Sequence, residues 1–298
     1  MGKNLVKGLT YGVLSALFGA YPYIFFHVAL ENNAMTTAFF CLAYHLFAAV
    51  YLLGYLSARR QFHDLKVPRA LRPGILLMGG LEFLSVWSLF SAMRIMDPTL
   101  VSFFNNSQTL FIILLGALIL GERFNATESL GTLVALSGVV MISYKSGAPV
   151  KIGMLLTVTS ALLFSCTVIL VKKKLEAVSP LALAFYRALT ITACFGVVCG
   201  VGGMRMPAEA GLLAPIAAGA LFGPFLNILF YFGALKHLDA SKTSLIRSVL
   251  PVFVLVNAMV FLHMVPLPMQ LVGGCIIIVG LWILVTGREQ AETTRTGA

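Results

Sequence analysis

The stretch SAMRIMDPTLVSFFNNSQTLFIILLGALILGERFNATESLGTLVALSGVVMI, from Ser91 to Ile142, decides the fold because the chain contains it twice. Moved forward by 142 positions, it aligns without a gap on GALKHLDASKTSLIRSVLPVFVLVNAMVFLHMVPLPMQLVGGCIIIVGLWIL, from Gly233 to Leu284. The identical pairs include an aspartate before each first apolar run and two glycines in each second run. They are Ala92/Ala234, Asp97/Asp239, Ser102/Ser244, Phe111/Phe253, Leu120/Leu262, Gly131/Gly273 and Gly138/Gly280. A repeat of about half the chain frames the interpretation of every other residue.

The composition of the chain is that of a polytopic membrane protein. Of its 298 residues 59% are hydrophobic and 11% are charged, whereas a soluble domain has roughly 45–50% and 25%. The net charge of +10 fits basic loops that fix membrane topology better than nucleic-acid binding. The five cysteines lie inside apolar runs, which indicates core residues rather than disulfides or metal ligands.

Ten apolar runs are long enough to cross a bilayer as helices, which needs about 20 residues each. Strands are excluded because the apolar residues are continuous and do not alternate. The predicted spans are 8–30, 35–57, 73–93, 98–120, 126–144, 152–171, 180–202, 212–235, 239–262 and 267–286.

The expected fold is an all-α membrane protein with ten transmembrane helices in two inverted five-helix repeats. Residues 1–146 form the first repeat, residues 147–288 the second, and residues 289–298 a disordered cytoplasmic tail. The second repeat is inverted because five is odd, so each half enters the membrane from the opposite side. Inverted repeats are typical of secondary transporters, which bind substrate between the halves.

Lysine and arginine predict the orientation of the chain. With the N-terminus in the cytoplasm, the inner segments hold 15 of these residues and the outer loops hold four. The positive-inside rule therefore places both termini in the cytoplasm. We expect a multi-pass protein of the cytoplasmic (inner) cell membrane.

Prolines mark three places where a helix is expected to break or bend. Pro22 lies in the first span, Pro224 in the eighth after Gly223, and Pro251 in the ninth. A membrane proline frees a carbonyl, which is tolerated against protein or a water-lined cavity. Each site is therefore either part of a cavity wall or a packing kink.

The repeated stretch resembles the EamA-type drug/metabolite transporters. The resemblance rests on LGERF at residues 120–124, followed by Gly131 and Gly138. It also rests on residues 234–239, which lead to Pro-Val-Phe at residues 251–253. The resemblance implies a ten-helix carrier of small metabolites with a central cavity between its halves.

The seventh span continues this resemblance, because Ser179 and Pro180 precede an early Arg187. The chain departs from it at residues 262–265, where Leu-His-Met-Val stands in place of a second Gly-Glu-Arg. This departure argues against a direct transport role for Glu122 and its neighbour.

Glu82 is the only acidic residue in the interior of a predicted span. Buried charges in membranes usually face a cavity or a partner. Glu82 is therefore a candidate proton site or a counter-ion for an amine. The alternative is a fixed ion pair with Arg247 or Arg187 that only holds helices together.

Arg247 falls on Asn105 under the repeat, so we expect both to face one cavity from opposite sides of the membrane midplane. Ser102, Asn105 and Thr109 share a helix face, which is either a substrate-binding stripe or a set of interhelical hydrogen bonds. The other candidates for substrate binding are Asn227, Tyr231, Tyr23 and Trp87.

His27 is the second candidate for proton coupling, since histidine titrates in the useful range. His27 and His45 are nonetheless more often satisfied core histidines. Arg187 lies about two turns from the start of its span and in that position also reaches the cytoplasmic interface. The aromatic candidates Tyr23, Trp87 and Tyr231 equally fit lipid-facing or interfacial positions.

No enzyme motif, metal-ligand set or phosphate-binding glycine loop occurs in the chain, so we expect neither catalysis, a cofactor nor ATP-driven pumping.

The preferred function is a secondary active transporter of a small metabolite, with an amino acid or related zwitterion fitting best. Glu82 would meet the ammonium and Arg247 the carboxylate. The alternatives are a carrier of phosphorylated anions and a lipid-handling or non-transporting scaffold. The expected partners are the substrate and the bilayer, not nucleic acid; a homodimer stays open.

The orientation is testable by labelling single cysteines placed at Asn33, Gly147 and Arg205, in the predicted outer loops. We expect a membrane-impermeant thiol reagent to label all three from outside intact cells, because the lysine and arginine bias puts these loops outside. Labelling only after lysis would show that the orientation is reversed.

Overall fold

The computed structural model describes most of the chain, and every long element in that part is a helix. The predicted outer-loop residues Asn33, Gly147 and Arg205 and the predicted tail lie outside it. The described residues are 3–30, 35–122, 126–142, 148–202, 211, 213–263 and most of 268–283.

Ten helical segments follow one another in this part of the chain. The first half contains α1 (Lys3–Leu30), α2 (Thr37–Arg59), α3 (Arg72–Ala92), α4 (Pro98–Leu120) and α5 (Ala126–Ile142). The second half contains α6 (Ala148–Lys174), α7 (Pro180–Val201), α8 (Leu213–His237), α9 (Ala240–Phe261) and the helical residues between 268 and 283, here α10.

Eight of the described helices, all except α5 and α10, are long and apolar enough to span a membrane. The all-helical class and the two-repeat organisation are confirmed, whereas the count of ten spans stays a prediction. Two short 3₁₀ turns, Phe62–Leu65 and Arg69–Leu71, occupy the connection between α2 and α3.

Polar N-cap residues fix where three of the spanning helices begin. The side chains of Thr36, Asp97 and Ser179 accept hydrogen bonds from backbone N–H groups in the first turns of α2, α4 and α7. Pro98 and Pro180 follow two of these caps, where a missing N–H costs nothing because the first N–H groups of a helix have no carbonyl partner.

The contacts between the two halves have the symmetry of the repeat. Helix α1 packs against α8 and α9, and its counterpart α6 packs against α3 and α4. Helix α2 packs against α7 and α8, and α7 packs against α2 and α3. The remaining large contact joins α4 to its own counterpart, α9. Each of these large contacts has its counterpart when every helix is exchanged for the one five places along.

Helices α4 and α9 are both interrupted at equivalent positions. Residues 106–107 of α4 and residues 248–249 of α9 form turns, and the repeat offset of 142 superimposes them. At each turn the backbone switches to i to i−3 hydrogen bonds, as from Ser107 N to the Phe104 carbonyl. Such tighter turns within a helix often mark hinges. The sequence predicted a break or bend in α9, at Pro251, but not in α4.

Proline explains one of these interruptions and a further irregularity in α8. Pro251 lies in the first turn of the second part of α9, as expected for a residue that restarts a helix. Pro224 lies in a π-helical segment, Leu221–Asn227, in the middle of α8. Pro22, by contrast, lies inside a continuous α1.

Helices α3 and α7 approach closely at Gly79. A Cβ atom built on Gly79 would lie 2.5 Å from Cβ of Thr190, a distance that requires one backbone to move. One turn further along α3 is Glu82, and one turn earlier on α7 is Arg187. The absence of a side chain at position 79 therefore sets the spacing at which these two charged residues face each other.

Gly79→Ala is predicted to lower the thermal stability of the protein, because overpacking a close helix contact costs about 1–3 kcal/mol. Gly80→Ala is the matched control, since a Cβ there would meet nothing within 4 Å. We expect a lower melting temperature in detergent for Gly79→Ala only. Equal melting temperatures for the two variants would contradict the proposed close contact.

Candidate functional site

A cavity of about 100 Å³ lies between the two halves. Eight helices, α1 to α4 and α6 to α9, contribute to its wall. Its polar and charged lining residues include Tyr23, His45, Glu82, Asn105, Arg187 and Arg247.

Two apolar clusters flank this cavity. Along α3, Met78 belongs to one cluster and Val86 to the other, and Glu82 lies between them. Along α2, His45 is placed in the same way between Tyr44 of one cluster and Ala48 of the other. The charged groups of the cavity are therefore confined to a layer near the middle of the bundle.

Glu82 and Arg187 form an ion pair across the α3–α7 contact. Arg187 Nη2 lies 2.5 Å from Glu82 Oε1, and the two side chains are 1% and 5% exposed. Of the two partners left open by the sequence, the structure selects Arg187. Within the described part of the chain, Glu82 Oε2 and two nitrogens of Arg187, Nε and Nη1, have no hydrogen-bond partner.

Arg247 ends the first part of α9 and is held by an aromatic ring and an amide. Its guanidinium carbon lies 4.1 Å from the ring centre of Tyr231, an arrangement stabilised by the ring quadrupole. Arg247 Nη2 donates to Asn227 Oδ1 at 3.4 Å. No carboxylate among the described residues lies within ion-pair distance of Arg247, although the side chain is buried.

Asn105 occupies the position on α4 that the repeat equates with Arg247, and both residues line the cavity. Its Nδ2 donates to the Tyr23 hydroxyl at 3.3 Å, while its Oδ1 has no partner among the described residues. Asn227 lines the cavity as well and accepts a hydrogen bond from Ser15 at 2.8 Å. These amides supply uncharged acceptors next to the charged groups.

Five of the candidate site residues predicted from the sequence do not line the cavity. Ser102 donates to the Thr99 carbonyl, and Thr109 to the side chain of Asn106 and the Ser244 carbonyl. Both therefore serve packing contacts of α4 rather than the cavity wall. Tyr231 contacts two residues of the cavity wall, Arg247 and Phe164, without lining the cavity itself.

Trp87 and His27 are likewise outside the cavity wall. Trp87 is 36% exposed and packs against Phe83 and Phe195. His27 is partly buried on α1, one turn beyond the cavity residue Tyr23. Of the two residues nominated for proton coupling, only Glu82 lines the cavity.

His45 and Arg187 line the cavity, although neither was among the substrate-binding residues predicted from the sequence. His45 is buried, and its Nδ1 lies 2.9 Å from the Cys41 carbonyl. The sequence repeat points to both residues, because the offset of 142 aligns His45 with Arg187. A polar residue at the same position of both halves indicates a shared role.

The charged residues of the described cavity wall do not balance. With Glu82 ionised and both arginines protonated, the wall carries one net positive charge. An unbalanced charge in a low-dielectric site is unfavourable. The cavity therefore favours an anionic group.

Comparison with known proteins gives the family of the chain. The sequence model of the EamA-like transporter family matches residues 6–144 and again residues 151–286. A solved structure titled "Crystal structure of protein" is similar in fold, with a TM-score of 0.73, 18% sequence identity, and coverage of 93% of this chain and 94% of that chain. No curated protein matches the chain. The two family matches together span both halves around the cavity, and the chain belongs to the EamA-like transporter family.

Proposed function

We propose that the protein is a secondary transporter of a small carboxylate-bearing metabolite, with an amino acid or related zwitterion fitting best. It acts in the cytoplasmic (inner) cell membrane with both termini in the cytoplasm. The observation that carries the proposal is Arg247, a buried cation without a carboxylate partner among the described residues. A guanidinium binds a carboxylate through two parallel hydrogen bonds.

The amino group of a zwitterion finds acceptors in the same cavity. Glu82 Oε2 and Asn105 Oδ1 are both buried and have no hydrogen-bond partner in the described structure. An ammonium group has three donors and no acceptor, so it satisfies both oxygens. The substrate would then bridge α3 and α4 of the first half to α9 of the second.

The volume of the cavity limits the size of the substrate in this conformation. About 100 Å³ is small beside the roughly 300–1,000 Å³ of clefts that bind drug-sized ligands. A small amino acid fits this space better than a bulky one. Larger substrates require the halves to move apart.

The symmetry of the contacts supports alternating access. Because the large contacts are kept when the halves are exchanged, the two-fold-related arrangement that opens the other end would use the same helix pairs. The interrupted turns of α4 and α9 directly follow Asn105 and Arg247, the proposed substrate-binding residues, and would provide hinges. Substrate or proton gradients would drive the cycle, with Glu82 as the proton site.

A second candidate is a carrier of anions, including phosphorylated metabolites. The net charge of +1 on the cavity wall favours it, because a monoanion neutralises the wall and a zwitterion does not. In this case Glu82 would serve only to neutralise Arg187. The two candidates differ in whether the substrate needs an amino group.

Counterflow into proteoliposomes distinguishes these candidates. Vesicles preloaded with alanine, propionate, ethylamine or phosphate are given the same labelled compound outside. We expect uptake with alanine and not with ethylamine, because Arg247 requires the carboxylate. Uptake with propionate or phosphate but not alanine would support the anion carrier. No uptake with any compound bearing an anionic group would contradict both.

Arg247→Gln is predicted to reduce this uptake at least about tenfold, equivalent to about 1.4 kcal/mol of substrate binding. Arg59→Gln is the control, since Arg59 is exposed at the end of α2 and outside the cavity. The measurement is initial counterflow rate at matched protein content. Equal rates for the two variants would exclude Arg247 from the site.

Glu82→Gln is predicted to lower both stability and transport. It leaves Arg187 buried without its partner, which costs about 3–5 kcal/mol. The double variant Glu82→Gln/Arg187→Gln is expected to regain folded yield but not uptake, since the acceptor for the ammonium is still changed. Folded yield and counterflow are measured for the single and double variants. Uptake restored in the double variant would mean that the pair is only structural.

A further inference from the structure

Glu122 joins the two halves at one end of the α4–α9 contact. Its Oε1 accepts a hydrogen bond from Ala240 N at 2.8 Å, and its Oε2 accepts one from Ser241 N at 3.0 Å. These N–H groups belong to the first turn of α9, where the backbone has no carbonyl partners. A carboxylate there also interacts favourably with the helix dipole.

The local sequence turns Glu122 toward α9. Helix α4 ends in a π-helical turn, Gly116–Leu120, and Gly121 follows with a positive φ of 67°, a conformation that favours glycine. The Glu122 N–H then bonds back to the Gly116 carbonyl at 3.2 Å. A Cβ on Gly116 would lie 2.7 Å from Ser241 Oγ, so this glycine admits the start of α9.

The aspartates that begin α4 and α9 are used differently in the two halves. Asp97 caps its own helix α4 by accepting from Leu100 N at 3.1 Å, so that cap stays within one half. Its equivalent, Asp239, makes no such cap on α9 and pairs with Lys242 instead. The repeat equates Glu122 with Met264, whose side chain has no carboxylate. Among the described residues, this tie through a glutamate occurs at the end predicted to be cytoplasmic.

We propose that Glu122 is a positioning residue that latches this end of the carrier shut. Opening a path from the cavity to that end requires the end of α4 to leave the start of α9, which breaks both hydrogen bonds to Glu122. The latch therefore biases the carrier toward states closed at this end. This inference rests on the alternating access proposed above, but not on the identity of the substrate.

Two equivalent serines report on the two ends. Ser102 on α4 and Ser244 on α9 are related by the repeat offset and are 1% and 2% exposed. Each is replaced singly by cysteine in a full-length protein whose five native cysteines are changed to alanine. The rate of labelling by a polar thiol reagent is then measured in nanodiscs, where the reagent reaches both faces.

Glu122→Ala is expected to raise the labelling rate at position 244 by roughly tenfold, because charge-assisted hydrogen bonds are lost from one state only. It should lower the rate at position 102, since the two ends open in alternation. Glu122→Gln keeps one acceptor oxygen and should give a smaller change in the same directions. It also serves if the alanine variant folds poorly.

Asp97→Ala is the matched control, because it removes a helix cap without cutting a tie between the halves. It should lower the melting temperature and leave the ratio of the two labelling rates unchanged. A rise at position 244 without a fall at position 102 would make Glu122 a helix cap only and overturn the latch. If the wild-type protein transports and Glu122→Ala leaves both labelling rates unchanged, the latch is overturned too. Absence of counterflow in the wild-type protein would instead contradict the proposed function.

Discussion

A hydrogen bond joins the two interrupted helices at their turns, from Asn106 Nδ2 to the Ser248 carbonyl at 3.3 Å. The two residues are separated by the repeat offset, so the bond lies where the halves meet their own counterparts. Tight turns on both helices place Asn105 and Arg247, the preceding residues, beside the cavity. In an apolar membrane such polar groups are stable only against one another or a cavity, so the crossing determines where a polar substrate is able to bind.

The ion pair of Glu82 and Arg187 satisfies most of the charge in that cavity and leaves part of it available. Gly79 sets the helix spacing that brings the pair to 2.5 Å. A fully buried charge without a partner destabilises a membrane protein, which accounts for pairing one arginine with the glutamate. Arg247 has only aromatic and amide contacts in the described structure, and the proposed substrate would supply the anion that this arginine lacks.

Departures from the repeat give the symmetric frame its function. His45 in the first half stands where Arg187 stands in the second, and Asn105 stands where Arg247 stands. The second half thus supplies the cations and the first half supplies Glu82 and neutral acceptors. In the proposed transport cycle, symmetric packing would allow two related conformations, and the asymmetric polar residues would make the two ends unequal.

The sequence by itself determined the helical class, the two repeats and the family, because apolar run length and repeated motifs are properties of local sequence. It also identified Glu82, since an acid within a long apolar run is costly wherever the run packs. Only the tertiary structure chose Arg187 over Arg247 as its partner, interrupted α4 where no proline marks the break, and moved Ser102 and Thr109 out of the cavity wall. These outcomes depend on which faces of distant helices meet and at what spacing, and no local pattern in the sequence records that.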